Sequence, residues 1–221
     1  MKTIFLKLVL TLFIVPLTAQ NVVINASESD AQIIVNGQNV SSGSYNLKLD
    51  KHQCYKVKAQ KSGFLRYEVD VCGKKAGPEP PKSIYFEMKP DDAEEASVKT
   101  DQANIDFAIE VNKDLNVNDA WKLTNQIVTD YFDAIEVADK ETSYLRTAWS
   151  VQTFAQNTIR TRLIIKLAKS DPLTFKVKLN SEQSGAAGTS VKADEQFRDW
   201  DRILRKYRNV INDFSTRLMK K

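Results

Sequence analysis

Residues 158–167 of this chain read TIRTRLIIKL, and this stretch decides the fold of the C-terminal part. Apolar and polar side chains alternate along it, which is typical of a β-strand with one buried and one exposed side. We expect Ile159, Leu163, Ile165 and Leu167 to face a core, and the arginines and the lysine between them to face outward. The stretch therefore predicts a strand rather than a helix.

Similar alternation predicts further strands on both sides of this one. Residues 145–154 and 173–179 have the same pattern and are joined to it by short polar loops, which favours an antiparallel meander. Leu145, Trp149 and Val151 form the expected apolar side of the first of these strands. Residues 105–111 also alternate and predict one more strand earlier in the chain.

Two helices are predicted to cover the apolar side of this sheet. Asn116 is a suitable N-cap for a helix in which apolar residues recur every three or four positions as far as Phe132. The same spacing continues from Phe197 to Leu218 and predicts one long closing helix. The expected domain, residues 101–221, is therefore α+β with the order β-α-β-β-β-α and an antiparallel sheet.

This order resembles a helix-grip arrangement. It is similar to the repeated domain in the C-subunit lipoprotein of the outer-membrane β-barrel assembly machine. The resemblance rests on the order of elements and on the long closing helix, and it implies an accessory role in the cell envelope. The chain departs from that lipoprotein because its cysteines, Cys54 and Cys72, do not lie where a lipid could be attached.

Residues 22–90 predict a small all-β domain of short strands separated by turns. Asn36-Gly37 is a strong tight-turn signal, and residues 55–64, YKVKAQKSGF, predict a hairpin that reverses near Gly63. Together with residues 29–37, SDAQIIVNG, these motifs resemble the PEGA-type β-domain. The family's name-giving motif is replaced by Ser-Ser-Gly-Ser at residues 41–44. The resemblance implies a recognition module rather than an enzyme.

The two cysteines are expected to form a disulfide across this hairpin. Cys54 and Cys72 are equally distant from Gly63, as directly opposed residues of a hairpin are. An oxidising compartment makes a bond between them the default expectation. After this domain, residues 91–100 are acidic and polar, and we expect them to form a linker.

The first 19 residues are predicted to be a cleavable signal peptide. A short basic start precedes an apolar run that ends near Pro16 and is too short to span a bilayer. The protein is therefore expected to work in the periplasm or at the cell surface and not as an integral membrane protein. Loss of Lys2 and Lys7 would lower the formal net charge from +4 to +2, which argues against nucleic acid as a partner.

No catalytic, metal or cofactor site is predicted. His52 is the only histidine, and neither a nucleophile motif nor a phosphate-binding loop is present. Two pairs of carboxylates, Asp130 with Asp133 and Asp106 with Glu110, leave open a carbohydrate-active hydrolase. A second alternative is a carrier of a small molecule or lipid in a cavity under the closing helix.

The strongest candidate for a binding site is the polar side of the C-terminal sheet. Six cations have the phase opposite to the apolar residues, so we expect them to share that side. A solvated exterior is the simplest explanation of such a side, and the alternative is a docking surface for an envelope protein or polysaccharide. The six cations are Arg146, Arg160, Arg162, Lys166, Lys176 and Lys178.

Overall fold

The structure is a computed structural model that describes residues 20–219. The expected signal peptide lies outside the described residues. The chain forms two compact units: unit 1 includes residues up to Ser62 and Arg66–Met88, and unit 2 includes Gly63–Leu65 and the chain from Lys89 onward. The expected α+β class, mainly β with antiparallel pairing, is confirmed.

Unit 1 consists of short strands in two sheets. The first sheet has the order β4-β1-β7 and the second has the order β3-β2-β5-β6. Alternate residues of each strand point inward, so Val22, Ile24, Ile33 and Val57 are fully buried. The strands are β1 (Gln20–Ala26), β2 (Gln32–Val35), β3 (Gln38–Ser42), β4 (Ser44–Leu49), β5 (Cys54–Gln60), β6 (Tyr67–Cys72) and β7 (Ser83–Phe86).

The turn and the disulfide expected in unit 1 are both present. Asn36 and Gly37 have positive φ angles of 49° and 85° between β2 and β3, as a tight hairpin turn requires. Cys54 and Cys72 lie directly opposite each other in β5 and β6 and are joined by a disulfide bond.

Unit 2 is built on a seven-stranded sheet whose centre is the long hairpin of β13 and β14. The order across the sheet is β10-β11-β13-β14-β15, with β12 also pairing with β13 and β9 with β14. The elements of unit 2 are α1 (Asp92–Glu95), β8 (Ser97–Lys99), β9 (Asp106–Glu110), α2 (Val117–Tyr131), β10 (Ile135–Asp139), β11 (Tyr144–Thr147), β12 (Ser150–Thr153), β13 (Thr158–Ser170), β14 (Leu173–Gln183), β15 (Arg198–Asp199), β16 (Arg202–Leu204) and α3 (Val210–Met219).

The core of unit 2 lies between the helices and the apolar side of this sheet. Ile159, Leu163 and Ile165 of β13 are fully buried, as their alternation predicted, together with Ile127 of α2 and Phe214 of α3. The prediction was wrong for Leu167, which is 36% exposed where the register of β13 and β14 shifts. The start of α2 also agrees with the sequence, because Oδ1 of Asn116 accepts a hydrogen bond from the backbone N–H of Asp119.

The expected acidic linker at residues 91–100 is instead folded into unit 2. Asp91 caps α1 by accepting hydrogen bonds from the N–H groups of Ala93 and Glu94, and Ala93 is buried in the core. Ser97, also buried, begins β8, which pairs with β16. The acidic residues therefore mark the first turn of a helix, where carboxylates are favourable.

The prediction of one long closing helix was wrong for the first half of that helix. The helix α3 covers only Val210–Met219, and the residues before it form the short strands β15 and β16 and a 3₁₀ turn at Arg205–Tyr207. Trp200 and Ile203 are buried in this region, and the N–H of Trp200 donates to the carbonyl of Ser181. Pairing of β16 with β8 supplies backbone hydrogen bonds that compete with helix formation.

The strand expected at residues 145–154 is broken into β11 and β12. Thr147 occupies an inward position at the end of β11, where its Oγ1 accepts a hydrogen bond from the N–H of Leu163. The ladder is interrupted after it, and Val151 then lies opposite Arg160 and is 42% exposed. Trp149 and Val151 therefore do not belong to the apolar side. The strand β10, which pairs with β11, was not predicted.

Candidate functional site

The six cations expected on the outer side of the C-terminal sheet lie on three of its strands. Lys166 and Lys176 are directly opposed across β13 and β14, and Arg146 and Lys178 both lie beside Ile164. Opposed residues point to the same side of a sheet, as do residues two apart along one strand. The six therefore share one side, here called the cationic face: Arg146, Arg160, Arg162, Lys166, Lys176 and Lys178.

Three lysines at one end of the cationic face surround a single carboxylate. The ammonium groups of Lys166, Lys176 and Lys178 lie 3.3, 4.0 and 3.9 Å from oxygens of Asp106 on β9. Their side chains are 48%, 46% and 34% exposed, so solvent screens these contacts and weakens them. One carboxylate cannot neutralise three ammonium groups, and this end of the face has an excess of positive charge.

Arg146 lies next to these lysines and has one carboxylate partner. Its Nε is 3.1 Å from Oε2 of Glu136 on β10, and both side chains are partly exposed. This ion pair uses one of the five N–H donors of the guanidinium and is not bidentate.

Arg160 is a structural residue, which corrects its expected place on an exposed binding surface. Its side chain is 4% exposed, and both Nε and Nη2 contact Oε2 of Glu182, at 2.8 and 2.6 Å. Its Nη1 donates to Asp194 at 2.5 Å and to the carbonyl of Val191 at 2.8 Å. Arg160 therefore ties residues 191–194 to the sheet, and its burial keeps it from an external anion.

Arg160 and Arg162 are also joined through aromatic rings. The guanidinium of Arg160 lies 4.0 Å from the ring centre of Phe197 and 4.3 Å from that of Trp149. The guanidinium of Arg162 lies 4.0 Å from the centre of the same Trp149 ring. Contacts between cations and aromatic rings at this range are attractive, and here they hold both arginines in place.

Arg162 differs from the other cations in having no anionic partner among residues 20–219. Its Nε is buried yet makes no hydrogen bond within that range. Burial lowers the pKa of the Arg162 guanidinium below its usual value, and the nearby positive charge of Arg146 acts in the same direction. The carboxylates of Glu182 and Glu136 act in the opposite direction from nearby, although neither forms an ion pair with Arg162. An arginine stays protonated in a protein, so Arg162 is a charged group without a direct anionic contact among residues 20–219.

Several residues that define this face were not identified from the sequence. Glu182 and Asp106 have the same strand phase as the cations that they contact, so alternation contains the signal for both. Trp149 was assigned to the opposite side because the break between β11 and β12 was not recognised. Asp194 belongs to a distant loop, and no local pattern indicates its contact with Arg160.

In each carboxylate pair considered for hydrolysis, one acid is in contact with a cation. Asp130 is in an ion pair with Arg217 at 2.6 Å, and Asp106 is the carboxylate among the lysines. Glu110 lies four residues beyond Asp106 in the same strand, which separates them by about 13 Å, more than the roughly 5–9.5 Å found between paired glycosidase acids.

Within residues 20–219, no group of three or more potential ligands is arranged to hold a metal ion. In the same part of the chain, no helix has the length and apolar character needed to cross a membrane. No protein-family model matches the chain, and no curated protein is significantly similar to it.

Proposed function

We propose that this protein is an exported, non-catalytic accessory protein of the cell envelope that docks an anionic partner on its cationic face. The observation that carries the proposal is the state of Arg162, which is partly buried and fixed against Trp149 without a carboxylate partner in the described chain. The excess of lysines around Asp106 extends the positive region along the same face.

Export is supported by two features of the chain. The Cys54–Cys72 disulfide is compatible with an oxidising compartment, where such bonds persist. The predicted signal peptide at residues 1–19 would direct the chain out of the cytoplasm. Both features fit a protein of the periplasm or the cell surface.

The two proposed family resemblances fit an accessory role to different degrees. Unit 1 is a small all-β body with the Asn36-Gly37 turn, as a PEGA-like recognition module requires. The likeness of unit 2 to a helix-grip domain has less support, because α3 is only ten residues long and the order of strands includes β10 and the separate strands β11 and β12.

The two alternative functions receive less support from unit 2. A carrier needs space under the closing helix, but Phe214 and Leu218 of α3 are fully buried, and Tyr207 stacks on Phe132 with ring centres 4.8 Å apart. A hydrolase needs two acids facing one substrate, whereas Asp106 and Asp130 are each engaged by cations.

Charge reversal tests the proposed function. The variant Lys176→Glu/Lys178→Glu reverses two of the three lysines of the face, and the control Lys113→Glu/Lys122→Glu makes the same change in net charge beside or within α2. We expect the first variant, and not the control, to lose capture of envelope components at low salt. Equal capture by both variants would contradict the proposal. Arg160 is left unchanged because its reversal would disrupt the fold.

A further inference from the structure

Arg162 combines a fixed position with an unused hydrogen-bonding capacity. A buried N–H without an acceptor is unfavourable, and folded proteins rarely retain one without a compensating partner. The Nε of Arg162 is such a group within the described residues. Because that Nε is closed to external groups, a partner would meet the outer edge of the guanidinium, where a carboxylate can accept two parallel hydrogen bonds from Nη1 and Nη2.

The surroundings of Arg162 keep its guanidinium in place for such a contact. Trp149 lies against it at 4.0 Å, and the same ring contacts Arg160, which Glu182 and Asp194 hold firmly. An arginine fixed in this way loses little conformational entropy when it binds, which favours affinity.

The neighbourhood extends the positive charge away from Arg162 along the sheet. Arg146 lies on the adjacent strand opposite Ile164, two residues from Arg162. Lys166 follows four residues along β13, roughly 13 Å away at the rise of a strand. An extended partner segment with several acidic side chains could therefore contact Arg146 beside Arg162 and Lys166 farther along the strand.

The exposed apolar residues of unit 2 favour a protein over a polysaccharide as the source of the carboxylates. Aromatic rings offer large, rigid apolar faces on which a flat ring can lie, but the large hydrophobic side chains that the described part of unit 2 exposes are all non-aromatic. On the cationic face itself, Val151 is exposed beside Arg160, while the Trp149 ring is already in contact with two guanidinium groups. An aliphatic contact next to cations suits an acidic protein segment.

We propose that Arg162 is a carboxylate-binding site that receives an aspartate or glutamate from an acidic, extended segment of a protein partner. This inference rests on the proposed function and names its partner class. Arg162 makes the two-pronged contact, Arg146 lies beside it, and Lys166, Lys176 and Lys178 attract the remaining acidic residues.

The test uses a fluorescent hexaglutamate peptide as the probe, with hexaglutamine as its control, and measures binding to the protein by anisotropy at low salt. Arg162→Gln should weaken binding tenfold or more, roughly the loss of a charge-assisted pair. Arg162→Lys should also weaken it, because lysine keeps the charge but not the two-pronged geometry. The matched control Lys176→Gln removes an exposed charge and should weaken binding about two- to fivefold.

A direct readout in the unmodified protein does not depend on whether a variant folds. The Nε–Hε resonance of Arg162 in a proton–nitrogen spectrum should shift as hexaglutamate is added and stay unchanged with hexaglutamine. An unmoved resonance, or equal losses for Arg162→Gln and Lys176→Gln, would overturn the carboxylate site.

Two further arms separate the possible sources of the anion. If polygalacturonate binds and hexaglutamate does not, the site belongs to a polysaccharide. If inorganic phosphate alone shifts the resonance, the site belongs to a free anion. Either result would overturn the proposal of a protein partner. Hexaglutamate that binds through the lysines without Arg162 would overturn this inference but leave the proposed function standing. If neither the peptide nor envelope components bind the face, both fail.

Discussion

Arg160 and Glu182 lie directly opposite each other on β13 and β14 and form the most buried ion pair of the cationic face. Both Nε and Nη2 of the arginine contact one carboxylate oxygen, and the two side chains are 4% and 16% exposed. Their position shows that a row of alternating cations on a strand can contain both a structural residue and a surface residue.

Replacing Arg160 with glutamine should therefore destabilise unit 2. The change leaves Glu182 without its partner and removes the link to Asp194, and we expect a loss of about 3 kcal/mol. Urea unfolding followed by circular dichroism measures this. Arg162→Gln, two residues away, is the matched control and should cost about 1 kcal/mol or less, because Arg162 has no ion pair within residues 20–219. Equal losses would contradict the structural role of Arg160.

The disulfide should stabilise unit 1 by restricting its unfolded state. Cys54 and Cys72 are 18 residues apart, and closing a loop of this length corresponds to about 3 kcal/mol. The variant Cys54→Ser/Cys72→Ser should lose this amount in urea unfolding. A reductant should destabilise the unmodified protein and leave the double variant unchanged, and equal stability of the oxidised protein and the double variant would show that the bond contributes nothing.

Asn104 should be sensitive to both its backbone angle and its side chain. Its φ is 64°, its Nδ2 donates to the carbonyls of Ser181 and Trp200, and its Oδ1 accepts from the N–H of Ser181. Asn104→Ala loses these bonds and strains the backbone, whereas Asn104→Gly loses the bonds only. We expect alanine to be the worse replacement by about 1 kcal/mol in thermal or urea unfolding. A glycine variant as unstable as the alanine variant would show that the backbone angle does not matter.

Tyr131 should make the stability of unit 2 sensitive to alkaline pH. Burial, together with its hydrogen bond to Asp213, raises the pKa of Tyr131 from 10.0 to about 12. Because the folded pKa lies above the unfolded one, this stabilisation is complete below about pH 10 and is lost as the pH rises through about 12. Ultraviolet titration should show one tyrosinate forming near pH 12 that is missing in Tyr131→Phe. A titration complete by pH 10.5 would contradict it.

Much of the sheet could be predicted because its signals are local. Alternation in β9, in β14 and in the middle of β13 predicts which residues are buried. An N-cap residue marks the start of α2. The opposed cysteines follow from their equal distance to Gly63. Each of these features is determined by residues close together in the chain, so a single sequence contains the information.

The C-terminal region could not be predicted because distant residues decide it. Apolar residues three or four apart also suit short extended segments that turn repeatedly toward a core, and β16 becomes a strand only because β8 is available to pair with it. The burial of Arg160 has the same origin, since Asp194 and Phe197 come from this region. Alternation placed the cations on one side but could not separate the buried arginine from the unpaired one.

Site-specific photo-crosslinking in the native host tests the central claim most directly. A benzophenone amino acid replaces Val151, which is 42% exposed on the cationic face, or Val117, which is 50% exposed on α2 and serves as the control. We expect Val151 to yield a discrete crosslinked envelope protein that disappears when Arg162 is replaced with glutamine, and Val117 to yield none. Crosslinks from Val117 and none from Val151 would show that the partner binds elsewhere and would contradict the account.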